Sequence, residues 1–169
     1  MGFFDKLFGG KHDAAPKFAG EKMSVMAPID GKVIPLEQLP DETFATAILG
    51  PGCGIEPTGD TVYAPFDGTI TQVASTLHAV GITSDDGIEL LIHVGMDTVE
   101  MQGKGFKALV KVGDKVKAGT PLLKVDLDAI RAAGHPTATA IIVTNGDDMG
   151  ELKMLAEGDV LAGTPLFKF

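Results

Sequence analysis

Short apolar or β-branched runs alternate with turn signals along the chain from Met23 onward. The turns are marked by dipeptides such as Asp30-Gly31, Asp67-Gly68 and Asn145-Gly146. Many short strands with close turns are typical of an all-β protein, and the pattern predicts an antiparallel β-sandwich or barrel. The predicted strands are residues 33–34, 61–63, 69–73, 80–83, 88–94, 122–125, 141–144 and 166–169.

Helix is scarce in this pattern. Residues 127–133 can form about two helical turns that begin near Asp126 and stop at Gly134. Residues 105–111 and 149–155 are each predicted to form one helical turn. The domain is therefore expected to contain only short helical turns between its strands.

Two internal repeats are visible. The stretch APIDGKVI at 27–34 returns as APFDGTIT at 64–71, and GDKVKAGTPL at 113–122 returns as GDVLAGTPL at 158–166. Because each unit occurs only twice, the repeats indicate a pseudo-symmetric barrel and not a solenoid.

Residues 1–22 differ from the rest and are predicted to be a flexible leader that precedes a domain at 23–169. Within the leader, apolar residues at helical spacing form one short stripe: Phe3, Phe4, Leu7 and Phe8. The alternative interpretation is an amphipathic segment that contacts a membrane surface or a partner, with Lys6 and Lys11 facing anionic lipid.

Composition narrows the class of protein. The 169 residues suit one domain, and 23 acidic against 14 basic residues give a net charge of −9. A protein that tracks a nucleic-acid backbone needs the opposite sign, so that class is excluded. The single Cys53 rules out an internal disulfide and a multi-cysteine zinc cage. Since no stretch fits a membrane span or signal peptide, the sequence predicts a cytoplasmic protein.

The four histidines fall into two groups. His12 and His135 are interpreted as solvated, whereas His78 and His93 lie in apolar segments with a turn between them. A two-residue hairpin loop at Asp85-Asp86 would place the latter pair directly opposite each other. A type I turn with a bulge at Gly87 would shift the pairing by one residue, and a further irregularity would then be needed to reunite the imidazoles.

Two adjacent imidazoles can bind a metal, perform acid–base chemistry or pass on a phosphoryl group; the plain alternative is two core histidines. The flanks favour a chemical role. His93 lies in a rigid apolar strand, and Gly95 has no side chain to obstruct a bulky reagent. A neutral imidazole is a competent nucleophile at pH 7. Thr76, two residues before His78, can orient that second ring.

The segment GIELLIHVGMDTV at 87–99 resembles the phosphorylation-site signature of the glucose-family enzyme IIA proteins, which belong to the bacterial phosphoenolpyruvate-dependent sugar phosphotransferase system. Further segments also resemble the family: MGFFDKL at 1–7, APIDG at 27–31, APFDGTI at 64–70, TLHA at 76–79, GKGF at 103–106 and GTP at 163–165. The likeness covers nearly the whole chain.

The resemblance implies an antiparallel β-sandwich or barrel in which His93 carries a phosphoryl group on Nε2. His78 would assist its passage onward with support from Thr76, while Gly95, Asp97 and Thr98 would have supporting roles. The donor would be phospho-HPr and the acceptor a cysteine on the IIB domain of a sugar permease. No cofactor is implied, and a monomer is expected.

The family also has an apolar docking surface around its histidines. The candidates here are Phe44, Ile48, Val80, Met96 and Val99, although each could equally be core packing. Regulatory targets such as adenylate cyclase, glycerol kinase or permeases are expected. A zinc ion shared with a partner through His78 and His93 is also allowed by the resemblance, although no intrinsic metal site is expected.

Three rival classes fit less well. A zinc peptidase would use the His93-x-x-x-Asp97 spacing but also needs a His-x-His pair, which the chain lacks. A biotinyl or lipoyl carrier needs a lysine in a hairpin, whereas Lys124 is predicted to lie within a strand. A nucleotide-dependent kinase needs a phosphate loop, and the glycine-rich stretch at 50–54, interpreted as a turn, lacks the Gly-Lys-Ser/Thr ending.

Overall fold

The computed structural model describes residues 16–169, and within them fourteen short strands pair in antiparallel fashion. The strands are β1 (Ser24–Met26), β2 (Gly31–Pro35), β3 (Gly52–Pro57), β4 (Thr61–Tyr63), β5 (Gly68–Val73), β6 (Ala79–Ser84), β7 (Glu89–His93), β8 (Phe106–Ala108), β9 (Lys115–Val116), β10 (Pro121–Val125), β11 (Thr139–Val143), β12 (Lys153–Met154), β13 (Asp159–Val160) and β14 (Pro165–Lys168). The helices are α1 (Glu42–Ala45), α2 (Leu127–Ala132) and 3₁₀ turns at Leu36–Gln38, Thr98–Met101 and Gly146–Asp148. The predicted all-β sandwich is confirmed.

One large sheet and two small sheets form the sandwich. The large sheet has the order β13-β2-β3-β11-β7-β6-β5-β9, and the small sheets have the orders β1-β14-β12 and β4-β10-β8. The main apolar core joins Ile82 and Ile92 of the large sheet to Leu122 and Phe167 of the small ones. The small sheets therefore cover one face of the large sheet.

The other face of the large sheet carries a second, smaller apolar cluster. Alternation along β11 points Ala140 and Ile142 to this face. Residues 36–49, which we call the covering segment, fold over them and contribute Phe44 from α1. Helix α1 is capped by Asp41, whose side chain accepts a hydrogen bond of 2.8 Å from the Thr43 amide. This cluster borders the candidate functional site.

The two sequence repeats occupy equivalent places. The aspartate of each repeat accepts a hydrogen bond from the alanine amide that precedes a Gly-Thr-Pro turn: Asp30 from Ala162 at 2.7 Å, and Asp67 from Ala118 at 2.8 Å. Strand β2 pairs with β13 at one end of the large sheet, and β5 pairs with β9 at the other. The predicted pseudo-symmetry is confirmed, with its two-fold axis between the central strands β7 and β11.

This symmetry assigns each histidine a counterpart. The repeats align Val33 with Ile70. The residues paired with them on the neighbouring strands, Ile55 and Ile82, are therefore also equivalent. The strand pairing from β3 to β11 in one half, and from β6 to β7 in the other, then makes His93 equivalent to Ile142. One half of the molecule therefore carries an imidazole where the other half carries a buried aliphatic side chain.

His78 corresponds to Pro51 in the same way. The Val94 amide donates to the His78 carbonyl at 2.8 Å, and the equivalent Val143 amide donates to the Pro51 carbonyl at the same distance. The main chain thus repeats while the side chains differ.

The helix predictions were correct at one position and wrong at two. Asp126 caps helix α2 by accepting a hydrogen bond of 3.1 Å from the Ala129 amide, and the helix ends before Gly134. The predicted helical turn at 105–111 contains strand β8, and that at 149–155 contains strand β12. In both places pairing with a distant strand, β10 or β14, overrides the local preference.

The turn assigned to residues 50–54 was also wrong beyond residue 51, because β3 begins at Gly52. A side chain at Gly52 would collide with the carbonyl oxygen of Ile141, and one at Gly54 would reach within 2.5 Å of Leu39. The glycines therefore permit close approach to β11 and the covering segment.

The leader lies largely outside the described residues, including the apolar stripe at 3–8, so the boundary at residue 23 stays a prediction. Of the described part, the Phe18 ring packs at 6.0 Å from Tyr63 and against Gly119. No helix found within residues 16–169 is long and apolar enough to cross a membrane.

Candidate functional site

The register between β6 and β7 decides how the two histidines meet. Thr83 pairs with Glu89 and Ala79 with His93, so the simple two-residue hairpin loop is wrong and the alternative register is correct. Gly87 adopts a φ of +102°, and its amide closes a turn onto the Ser84 carbonyl at 3.0 Å. The extra residue shifts the pairing by one.

The further irregularity lies just before β6. Leu77 adopts a left-handed φ of +63°, and its amide donates to the Ala74 carbonyl at 2.8 Å. The chain therefore turns at Leu77, immediately before His78, and β6 does not extend further toward the N-terminus. The rings of His78 and His93 lie 4.7 Å apart between centroids and nearly perpendicular, at 83°. The two imidazoles form one site.

His93 has a defined proton arrangement. Its Nδ1 lies 2.9 Å from the carbonyl oxygen of Gly95. A carbonyl can only accept, so Nδ1 carries the proton and donates, and Nε2 keeps a free lone pair. The half-buried ring also packs against Phe44, with the centroids 5.0 Å apart. The orientation of the ring is fixed from both sides.

His78 is buried, and Thr76 holds it. The Thr76 hydroxyl and His78 Nδ1 are hydrogen-bonded at 2.8 Å. Thr76 itself is half-buried beside the turn at Leu77. This contact leaves Nε2 as the atom of His78 with which a reacting group can interact.

Both imidazoles favour the neutral form. Burial lowers the pKa of His93 below its usual 6.5, the neighbouring His78 lowers it further, and the bond to Gly95 opposes this in part. Burial also lowers the pKa of His78, and a hydrogen bond to the main chain of Thr76 opposes this in smaller part. At pH 7 the site therefore presents unprotonated nitrogen, as a nucleophile requires.

A tight turn after His93 supplies its hydrogen-bond acceptor. Gly95 and Asp97 both adopt left-handed conformations, with φ of +73° and +58°. The Met96 amide donates to the Pro136 carbonyl at 3.0 Å, which ties the turn to the loop after α2. Sequence reasoning gave Gly95 the role of admitting a reagent and missed its carbonyl as the partner of His93. The side chain of Asp97 is exposed.

The predicted docking surface is corrected in part. Val80 and Met96 are buried, because Val80 faces the main core and Met96 lies in the smaller cluster, so both were wrong as docking residues. Phe44, 5% exposed, packs on His93 and offers almost no surface. Ile48 and Val99 are 77% and 52% exposed, and their role in docking stays a prediction.

His135 was wrongly interpreted as solvated. Its side chain is only 14% exposed, and its Nε2 lies 3.9 Å from a carboxylate oxygen of Glu100. The two residues are distant in sequence, and no local pattern indicates their contact. They lie on the segments that flank the turn after His93.

Other reactive groups do not add to the site. Cys53 is buried, which raises the pKa of its thiol to about 12 and keeps it an unreactive thiol at neutral pH. Within residues 16–169 no group of three or more His, Cys, Asp or Glu side chains could hold a metal ion.

Comparisons with known proteins agree in pointing to one family. The family model for the phosphoenolpyruvate-dependent sugar phosphotransferase system, EIIA 1, matches residues 23–149. The chain is 42% identical over 156 residues to the mannose-specific EIIBCA component of Corynebacterium glutamicum. The matched region covers 92% of this chain and 23% of that protein. It is 44% identical over 155 residues to the glucose-specific EIICBA component of Staphylococcus carnosus, and the match again covers 92% of this chain and 23% of that protein. The chain thus spans about a quarter of the length of these relatives.

A solved structure gives the same result. Glucose permease IIA from Mycoplasma capricolum superposes with a TM-score of 0.79 at 33% sequence identity. The match covers 90% of this chain and 98% of that one.

Proposed function

Because the chain belongs to the EIIA 1 family of the phosphoenolpyruvate-dependent sugar phosphotransferase system, we propose that it is a histidine phosphocarrier. It accepts a phosphoryl group from phospho-HPr on Nε2 of His93 and passes it to a cysteine of a IIB domain. The observation that carries the proposal is the hydrogen bond from His93 Nδ1 to Gly95, which leaves Nε2 as the nucleophile beside His78.

Acceptance is a simple displacement at phosphorus. The Nε2 lone pair of His93 forms a bond to phosphorus while the bond from phosphorus to the donor breaks, and the donor keeps that electron pair. The new ring bears the phosphoryl group and the Nδ1 proton, so positive charge develops on it. The Gly95 carbonyl stabilises that charge through a hydrogen bond that strengthens during the step.

Delivery reverses these roles. A cysteine thiolate of the IIB domain attacks phosphorus, the phosphorus–nitrogen bond breaks, and the electron pair returns to Nε2 of His93. In this scheme the Thr76 hydroxyl donates to His78 Nδ1, so that His78 Nε2–H donates to a phosphoryl oxygen. Arg131, the single arginine, pairs with Asp128 on α2, so imidazole and main-chain groups supply the stabilisation.

The partners follow from this scheme. Relatives named EIIBCA and EIICBA join an EIIA region to EIIB and EIIC regions, which supports a IIB acceptor. Ile48 and Val99 would meet partners and exclude water from the transferring group. HPr as donor, regulatory targets, a cytoplasmic monomer and a membrane-contacting leader belong to the same proposal. A zinc ion shared with a partner also stays a prediction, since two imidazoles supply half of its usual four ligands.

The proposal is tested by reconstitution. The chain is incubated with phosphoenolpyruvate, enzyme I and HPr, and then analysed by intact mass and by peptide mapping at alkaline pH. We expect one acid-labile phosphoryl group, located on the peptide that contains His93. No uptake, with all components active on another EIIA protein, would contradict the proposal.

A further inference from the structure

We propose that Thr98 is a positioning residue that fixes the proton of His93 on Nδ1 by holding the turn at 94–98. This inference rests on the proposed function, because it concerns the same nucleophile. It assigns to Thr98 a specific action, through its hydroxyl on Val94 and its methyl group under Gly95.

The hydroxyl ties the two ends of the turn together. Thr98 is fully buried, and its Oγ1 donates to the carbonyl oxygen of Val94 at 2.6 Å. Val94 directly follows His93, and its amide donates to the His78 carbonyl at 2.8 Å. One residue thus connects the turn, the strand end that bears the nucleophile and the segment that bears the second imidazole.

The methyl group supports Gly95 from below. A side chain placed on Gly95 would come within 2.5 Å of Thr98 Cγ2, so the methyl already fills that space. Gly95 adopts a φ of +73°, and in this conformation its carbonyl lies 2.9 Å from His93 Nδ1. The Gly95 carbonyl, which sets the tautomer of His93, therefore belongs to a peptide unit that packs against Thr98.

A main-chain hydrogen bond also ties the turn to a neighbouring loop. The Met96 amide donates to the Pro136 carbonyl at 3.0 Å. Valine has nearly the same shape as threonine, so packing alone does not require a hydroxyl at position 98. The short bond to Val94 is what valine would lose, and the Val94 carbonyl would then be buried without that donor.

The test compares Thr98→Val with Thr98→Ser, which keeps the hydroxyl. Ser84→Ala is the matched control, because Ser84 is a buried hydroxyl that accepts from the Ile88 amide at 2.8 Å in the turn at the opposite end of β7. Long-range ¹H–¹⁵N spectra of histidine report the tautomer of His93, and rapid-mixing experiments report phosphoryl uptake from phospho-HPr. Both are measured on folded protein well below the unfolding temperature.

We expect Thr98→Val to shift the His93 proton away from Nδ1 and to slow uptake by about tenfold or more, as small displacements of a reacting group do. Thr98→Ser keeps the hydroxyl but lacks the methyl group, so both properties should lie much closer to wild type than in Thr98→Val. Ser84→Ala should lower stability without changing either property. Should Thr98→Val not fold, Thr98→Ala against Thr98→Ser gives the same comparison, since these two differ by the hydroxyl.

A folded Thr98→Val protein with wild-type tautomer and wild-type uptake would overturn the positioning role. Failure of the proposed function is distinguishable from this result. In that case the wild-type chain takes up no phosphoryl group, while the spectra still show whether Thr98 sets the tautomer.

Discussion

The two halves of the large sheet share a main chain and differ in chemistry. Val94 donates to the carbonyl of His78 in one half, and Val143 donates to that of Pro51 in the other, both at 2.8 Å. His93 is half-buried at the surface of its half, whereas its counterpart Ile142 is fully buried. The same frame therefore supports a reactive site on one side and packing on the other.

The covering segment explains this difference. Residues 36–49 lie over the Ile142 side and bury it in the smaller apolar cluster. The segment ends its contact at Phe44, whose ring packs 5.0 Å from His93. The cover of one half is thus a wall of the site in the other, because the connection between β2 and β3 is longer than the equivalent connection between β5 and β6.

The largest effect is expected from removing the nucleophile. His93→Gln keeps a polar side chain of similar size but lacks the Nε2 lone pair, so phosphoryl uptake should be abolished. His135→Gln is the matched control, because His135 is also poorly exposed but contacts Glu100 instead of the histidine pair. Radiolabel transfer from phosphoenolpyruvate measures both. Undiminished labelling of His93→Gln would place the acceptor elsewhere.

Replacing the second imidazole should have a large but incomplete effect. His78→Ala removes the donor to the phosphoryl oxygen and leaves His93 Nε2 intact. Delivery to a IIB domain should slow by about 10²–10⁴-fold, the usual range for one acid–base group, while uptake persists. Quenched-flow assays measure phosphoryl uptake and delivery separately. Full-rate delivery by this variant would remove His78 from the mechanism.

The counterpart half should affect stability and not chemistry. Ile142→Ala leaves a cavity in the smaller cluster, and truncations of this kind cost about 2–5 kcal/mol in unfolding free energy. Urea denaturation measures this loss. Uptake per folded molecule should stay close to the wild-type rate. A loss of uptake as severe as that of His93→Gln would show that the two halves are not separable in this way.

The smallest effect is a pH dependence of stability that belongs to the histidine half. The folded-state pKa values of both histidines lie below the usual 6.5, so the unfolded chain binds protons first as the pH falls. Stability from this source is complete above about pH 6.5 and is lost as the pH falls toward the folded-state values. Thermal unfolding between pH 8 and pH 5 measures the slope. The double variant His78→Gln/His93→Gln should flatten it, whereas Ile142→Ala should not.

The sequence predicted most of the frame and less of the geometry within it. The repeats indicated the two-fold relation, because both copies use the same aspartate-to-amide contacts. The Asp126 cap and Gly134 likewise located α2. The hairpin register stayed open, because residues 84–88 are compatible with loops of two or three residues. The structure has the longer of these loops.

Three features of the site had no local signal. The left-handed turn at Leu77 occurs at a residue that rarely adopts it, so only contacts elsewhere in the fold can impose it. The burial of Val80 and Met96 depends on which face of the sheet each residue meets. The proximity of His135 to Glu100 depends on the path of a loop across the sheet.

The most direct test of the central claim identifies the phosphorylated nitrogen. Coupling between ³¹P and ¹⁵N in the phosphorylated, histidine-labelled protein reports which ring nitrogen bears phosphorus. The hydrogen bond from His93 Nδ1 to Gly95 predicts one phosphoryl group on Nε2 of His93, with the Nδ1 proton retained. A phosphoryl group on Nδ1 of His93, or on His78, would contradict it.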